Sequence, residues 1–380
     1  MKLSILLPTH NRADVLPFAI ESVLGQTFTD FELLIVGDGC TDGTADAVTR
    51  HAAHDARVRW YDLPKAAGFG YANRNVALKE ARGELIGYMA HDDLALREHF
   101  GRLVGLMEEP AVELAHTSAT WVAPDGAMVP TVFHLEDPAM REGLIGKVWN
   151  RLPSPCFMHR RSALAEAGMW DETLLSGGDM DLWGRILLHY GPGCVRGSPH
   201  ATVLHFRAGW RTDDMVNPDN EPPWLRLHGE PGRLSRWLRV PIEAGQTEQE
   251  AASRWLRAHP EAGREIGEAC THALMTHAWE LEKVASGHEK HVQLLRRDHE
   301  TFAEAAAKAH GEAAVAQAAV AAAARAGTLR QVAQLEERRD DLTAQRDALK
   351  SERDRLKETV RSLPKEPPPK KRWWERAAKE

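Results

Sequence analysis

Four short strand candidates in the first hundred residues, three of them mainly apolar, constrain this chain more than any other feature. They are Leu3–Leu7, Phe31–Val36 (FELLIV), Val58–Leu63 and Leu85–Met89 (LIGYM), each closed by polar or turn-forming residues. Runs this short suit buried strands and are too short for buried helices. Between them the spacing changes. Val15–Gln26 puts Leu16, Ala19, Ile20, Val23 and Leu24 on one helical face. Thr41–His51 reads as a helix with Asp42 in its first turn, and Ala72–Ala81 as a helix stopped by Gly83. Strands alternating with helices of this length pack as parallel neighbours joined by right-handed crossovers, so an α/β fold with a mostly parallel sheet and flanking helices is expected. Ligands of such sheets sit at the carboxyl ends of the strands. There the sequence places Thr9 to Arg12, Asp38 and the pair Asp92-Asp93.

The chain has 380 residues, 43% of them hydrophobic, which is enough for a sizeable core and long for one domain. A net charge of -7 argues against bulk attraction to nucleic acid. Cys40, Cys156, Cys194 and Cys270 are far apart and form no CxxC pair, so neither a zinc knuckle nor a disulfide framework is indicated, and a reducing cytoplasm is expected. The apolar run at the start ends at Pro8, too early for a secretory leader. No stretch has the length and apolarity of a membrane span.

After the strand–helix region the pattern loosens. Residues 110–215 are rich in Trp, Gly and Pro, which suits short strands and loops completing a domain over 1–215. Residues 216–240 read as a linker or strap and 241–327 as helical, since no proline occurs between Pro260 and Pro364. Leu335, Leu342, Leu349, Leu356 and Leu363 then recur every seven residues, so 328–363 is expected to be a coiled coil. The companion seam, Val332, Arg339, Arg346, Arg353 and Val360, carries three arginines. Two partners for the leucine stripe stay open: a second copy of the chain, giving a homo-oligomer, or the chain's own fold. The tail, 364–380, ends in PPPKKRWWERAAKE. Its Trp373 and Trp374 among basic residues suit peripheral contact with a membrane surface or a partner groove, against the alternative of a disordered tail.

Five constellations carry chemistry. Asp92-Asp93 after the fourth strand can hold a hard divalent cation, although adjacent acids also cap helices. Asp38, between glycines after the second strand, can accept hydrogen bonds from a ribose or base, or simply make a turn. The Gly-rich run Gly68–Asn75 leads to Arg74 at a helix start, a place for a phosphate contact or for a plain surface arginine. Asp179 and Asp181 are two apart and cannot share a helix face, so one can serve a cleft as general base while the other pairs structurally. His205 can complete a metal site or sit in the core. No GxGxxG follows the first strand, which disfavours the common dinucleotide fold.

Taken in order, LSILLPTHNR, QTFTDFELLIVGDGCTDGT, ARGELIGYMAHDD and GGDMDLWGRI resemble the family 2 glycosyltransferases of the GT-A fold, over about residues 1–215. The resemblance implies a GT-A, Rossmann-like sheet and transfer of a sugar from a nucleotide-sugar donor, with UDP the most frequent nucleotide, to a carbohydrate or glycoconjugate acceptor. It implies that Pro8, Thr9, Asn11 and Arg12 border the nucleotide, that Asp38 meets base or ribose, and that Arg74 meets the uracil or phosphates. Asp92 and Asp93 would form the metal motif for Mn²⁺ or Mg²⁺, with Asp93 the direct ligand. His205 would approach the metal or the diphosphate, and Asp179 would be the base of an inverting displacement. Two departures stand out: Ala90 lies where many relatives carry a further acid, and Gly178 where they often carry Glu.

Two other classes compete. A nucleotidyltransferase would favour a Gly-rich phosphate loop after the first strand, and Pro8-Thr9-His10-Asn11 is not one. A catalytically silent scaffold acting through 300–380 has no physical need for Asp38, Asp93 and Asp179 together. The acceptor is not readable, although Trp121, Trp149, Trp170 and Trp210 are candidates for sugar stacking as well as for core packing.

Overall fold

The computed structural model describes residues 1–123, 125–131, 133–147, 152–206, 235–308 and 314–362. The four expected strands form as β1 (Leu3–Thr9), β2 (Phe31–Asp38), β3 (Val58–Leu63) and β4 (Leu85–Tyr88). They lie side by side in the order β3-β2-β1-β4, all parallel, with Leu3 opposite both Phe31 and Leu85. β1 and β2 are buried almost throughout, as strands covered on both faces must be.

The strand period of two then sorts the core. Leu3, Ile5, Leu7, Leu33 and Ile35 point to one face, where they meet α1 (Leu16–Leu24), α2 (Thr44–His54) and α4 (His99–Leu106) through Ile20, Val48 and Phe100. Leu6, Leu34, Val36, Ile86 and Tyr88 point to the other, against α3 (Tyr71–Lys79) and α7 (Gly178–Tyr190) through Leu78 and Trp183. The second helix starts at Thr44, three residues after the expected start. Asp42 stays outside it because its carboxylate accepts the N–H groups of Thr44 and Ala13.

Beyond β4 the sheet becomes mixed. β8 (Phe157–Arg160) is antiparallel to β4 and to β6 (Leu114–Val122), β9 (Val195–Phe206) is parallel to β6, and the two-residue β5 (Leu94–Ala95) is antiparallel to β9. The short β7 (Met128–Pro130) extends from β6. Helices α5 (Pro138–Ile145) and α6 (Ala163–Ala167) complete this half. This is the expected α/β architecture, with parallel strands at one side of the sheet and helices flanking it. Trp170 is buried in its core and Trp121 half-buried, whereas Trp149, Trp210 and the 215/216 boundary lie outside the described residues.

The first compact unit runs to Cys270. Val240 N–H donates to Gly126 O (2.9 Å), and Arg239 pairs with Asp125 (2.9 Å). α8 (Glu248–Ala258) is capped by Thr247, buries Gln249, Ala252 and Ser253 on one face, and ties to α1 through Arg257–Glu21 (2.8 Å).

The second unit, from Thr271 to Leu363, is helical: most of α9 (Ala262–Lys308) and all of α10 (Ala314–Ser362). Glu282 faces Arg353 (3.7 Å) and Arg296 pairs with Glu336, so the two helices run antiparallel. On α9, Ala278, Ala285 and Val292 are buried at seven-residue spacing; on α10, Val332 is buried and Leu335, Leu342 and Leu349 are half-buried. The chain thus supplies a partner for the seam arginine Arg353 from its own α9. No described helix is long and apolar enough to cross a membrane, and the 364–380 tail lies outside the described residues.

One buried hydrogen bond makes the fold acid-sensitive. His159 Nδ1 meets Arg160 O (2.7 Å), and a carbonyl only accepts, so Nδ1 carries the proton. Nε2 then accepts from Tyr88 O–H (2.6 Å). Burial pushes the imidazole from 6.5 down to about 4. The native state therefore refuses a proton that the unfolded chain takes between those values, and stability present above pH 6.5 is lost as pH falls toward 4. The chain should lose about 2 kcal/mol of stability between pH 7 and pH 5 through this residue. His159→Gln should flatten that part of a urea-midpoint profile, and an unchanged slope would count against the account.

Candidate functional site

The loops after β1 and β2 are laced together. Asn11 adopts φ 48°, a left-handed conformation that Asn tolerates better than most residues. Its Oδ1 accepts Thr41 N–H (2.7 Å), while Arg12 N–H donates to Thr44 Oγ1 (2.8 Å) and His10 Nδ1 meets Asp38 O (2.7 Å). Pro8 and Thr9 end β1 in register with Val36 and Gly37.

Asp38 is buried and firmly held. Oδ1 accepts from Ala66 N–H (2.8 Å) and Asn73 Nδ2 (2.7 Å), and Oδ2 pairs with Lys65. A carboxylate offers about four lone-pair positions, so acceptor capacity is left on Oδ2 for a ligand. Gly70 is required here twice over. It has φ +72°, and a Cβ at that position would lie 2.7 Å from Asp38 Oδ2. The segment from Lys65 to Asn73 is thereby pinned beneath Asp38, and it delivers Arg74 to the first turn of α3.

Arg74 lies over the rings of Tyr71 (4.9 Å) and Trp170 (4.8 Å), which stack on each other, and Nη2 donates to Phe69 O (3.1 Å). Burial pushes its guanidinium below the ordinary value, against the pull of Tyr71 and Asp179. Asn75 clamps this layer to the loop before α7, donating to Trp170 O (2.8 Å) and accepting from Trp170 N–H (3.1 Å).

α7 separates the two aspartates of GGDMD. Asp181 pairs with Lys147 (2.7 Å) and Arg185 (2.8 Å), and Arg185 goes on to the carbonyls of Ala167, Gly168 and Met169. Asp181 is therefore the structural member. Asp179, half-buried, accepts Met180 N–H (2.9 Å) and acts electrostatically on Arg74 and Tyr71. Gly178 donates its N–H to Tyr71 Oη (2.9 Å), and a Cβ on it would sit 2.6 Å from the Tyr71 ring. The glycine that stands where relatives often carry Glu thus makes room for Tyr71.

Asp93 and His205 are brought together by strand register. β5 and β9 pair Leu94 with Leu204 and Ala95 with Val203, so one step further sets Asp93 across from His205. Asp93 Oδ1 and His205 Nδ1 lie 3.3 Å apart, with Asp93 fully buried and His205 6% exposed. Asp92 is buried beside them, and His91 Nε2 lies 3.9 Å from its carboxylate. Burial pushes His91 below its usual value. The donors are hard oxygens plus imidazole nitrogen, a set that fits Mn²⁺ or Mg²⁺. Among the described residues no three His, Cys, Asp or Glu side chains cluster to cage a metal. The fit is therefore to a cation that takes one or two protein ligands and fills its shell with phosphate oxygens and water.

Four of these residues carry buried polar atoms without hydrogen-bond partners: Thr9 Oγ1, Arg12 Nε, Arg74 Nε and His91 Nδ1. His91 feels the charges of Arg12, Asp14 and Arg74 as well as Asp92, so these groups share one surface. Such atoms call for a polar ligand. His91, Tyr71, Lys65 and Asn73 were not singled out by sequence reasoning, although the last three flank or lie within the Gly-rich run that was.

The Gly178–Tyr71 contact gives a stability test. Gly178→Ala should cost about 1–3 kcal/mol in denaturant unfolding by forcing Tyr71 off Trp170. The cost should shrink in a Tyr71→Ala background, and strictly additive losses would refute the contact.

The pattern of glycosyl transferase family 2 matches residues 4–163. An uncharacterized glycosyltransferase of Rickettsia felis is 29% identical over 192 residues, 48% of this chain and 29% of that one. The chondroitin synthase of Escherichia coli is 39% identical over 90 residues, 24% of this chain and 13% of that one. Among solved structures, Staphylococcus aureus TarS 1–349 in complex with UDP-GlcNAc aligns with a TM-score of 0.45 at 22% identity, covering 55% of this chain and 59% of that one. The chain spans less than a third of the length of the R. felis relative. Over residues 4–163 this chain is therefore similar to glycosyl transferase family 2.

Proposed function

We propose that the chain is a transferase that moves a sugar from a nucleotide-sugar donor to an acceptor hydroxyl, by a single displacement with inversion at the anomeric carbon. The observation that carries this reading is the convergence, at the carboxyl ends of β1, β2 and β4, of unsatisfied donors (Thr9, Arg12, Arg74) with the Asp93–His205 pair. In this reading Pro8, Thr9, Asn11 and Arg12 border the nucleotide and Asp38 accepts from its base or ribose. Arg74, held on two aromatic rings and poor in hydrogen-bond partners, contacts the diphosphate or base. Asp92 and Asp93, with His205, hold a divalent cation, Mn²⁺ or Mg²⁺. When bound, that cation offsets charge on the departing nucleoside diphosphate.

Asp179 is the base. It acts electrostatically on Arg74, as Asp38 does, and takes the proton of the acceptor hydroxyl as that oxygen attacks. Asp181 cannot serve, because Lys147 and Arg185 hold its carboxylate. No proton donor is needed on the leaving-group side, where charge is met electrostatically. The donor proposed is a UDP-sugar, and the acceptor a carbohydrate or glycoconjugate of a surface polysaccharide. The name of the E. coli relative, chondroitin synthase, supports a carbohydrate acceptor. The enzyme would work in the cytoplasm, with the 364–380 tail as its contact with a membrane surface.

Calorimetric titration with UDP, dTDP and GDP, each with and without Mn²⁺, tests the donor side. One nucleotide should bind in a Mn²⁺-dependent way, and Asp93→Ala should abolish the Mn²⁺ dependence. Binding of none of the three would favour a silent scaffold, and release of pyrophosphate a nucleotidyltransferase. On the acceptor side, Asp179→Asn should lower kcat by about 10²–10⁴ with donor affinity little changed. Near-normal transfer by that variant would remove Asp179 from the mechanism.

A further inference from the structure

We propose that Gln249, on α8 and outside the family-matched residues, is a positioning residue for the Asp92-Asp93 motif. The proposal rests on reading Asp93 as the metal-proximal carboxylate. Gln249 is only 4% exposed, and its Nε2 donates to the backbone carbonyl of Asp92 (3.2 Å), 157 residues away in sequence. A carbonyl only accepts, so the amide must present its NH₂ there.

The bonded group is the peptide between Asp92 and Asp93. Its other end, Asp93 N–H, reaches Ala90 O at 3.4 Å, a long and weak bond. Strand pairing takes over only at Leu94. Gln249 is thus the shorter of the two contacts that fix the plane of this peptide, and that plane sets where the Asp93 side chain leaves the backbone. The helix that carries Gln249 is itself fixed. Ala252 and Ser253, three and four residues on, share its buried face, Thr247 caps the first turn, and Arg257 pairs with Glu21 on α1. A side chain needed only to fill this space could be apolar. An amide aimed at one carbonyl is the pattern of an outer-shell residue that orients a metal ligand.

The test uses the full chain and three proteins: wild type, Gln249→Met, which keeps shape and loses the donor, and Gln249→Glu, which replaces the donor with an acceptor facing a carbonyl. Each is titrated with UDP in the absence and presence of Mn²⁺, and its thermal midpoint is measured without metal. Gln249→Met is expected to weaken Mn²⁺-dependent UDP binding about tenfold and Gln249→Glu more, with metal-free UDP binding unchanged. Wild-type Mn²⁺-dependent affinity in Gln249→Met overturns the proposal alone. A fall in metal-free binding and thermal midpoint as large as the Mn²⁺ effect also overturns it, since that is a merely structural role. Absence of Mn²⁺-dependent binding in the wild type overturns the functional reading, and the proposal with it.

Discussion

β1 is hydrogen-bonded along both edges, to β2 and β4, and covered on both faces. With both lateral directions taken, parallel order obliges β1, β2 and β4 to release the chain at the same edge of the sheet. Thr9, Asp38 and the His91–Asp93 turn are neighbours for that reason, although they are far apart in sequence. The grouping of these polar residues is a consequence of the pairing, and Thr9 and His91 among them keep buried atoms without hydrogen-bond partners.

The second half of the site is built differently. Asp179 is placed by an aromatic layer rather than by the sheet. Tyr71 stacks on Trp170, accepts Gly178 N–H and carries Arg74 on its face, so one ring locates a cation, a helix start and a carboxylate together. The contact needs Gly178, because any side chain there meets the ring. Of the two departures from the family pattern, this one thus has a local packing reason. The other, Ala90, leaves the Asp92-Asp93 turn with one carboxylate fewer, and the backbone of Ala90 serves instead as acceptor for Asp93 N–H.

Much of this was legible in the sequence because it is local. The period-two burial of β1 and β2, the helical face of α1 and the acids at strand ends are written within a few residues of one another. That the two aspartates of GGDMD take different roles follows from a two-residue spacing that no helix face can share, while Lys147 and Arg185 decide that Asp181 is the structural one. Legibility ends where a contact depends on distant chain. Asp42 reads as helical until Ala13 N–H is seen to draw it out of the helix. Tyr71 looks like one aromatic in a Gly-rich run until Gly178, 107 residues on, donates to it. The leucine heptads of α10 state that a partner exists without naming it. The acidic residue of α9 that answers Arg353, Glu282, is unremarkable in sequence.

Register explains why so small an element as β5 matters. Two paired residues contribute little stability, yet side chains on a strand alternate between faces, so a slip of one position would turn Asp93 away from His205. A two-residue ladder cannot resist such a slip by its own hydrogen bonds. Support comes from outside the ladder: Ser22 Oγ accepts the N–H of Ala95 in β5 (3.1 Å), and Gln249 donates to Asp92 O in the turn before it. One comes from α1, deep in the family-matched region, and the other from α8, beyond it. The cleft is therefore framed by both, and the segment after residue 235 belongs to the physics of the site as much as the strands that open the chain.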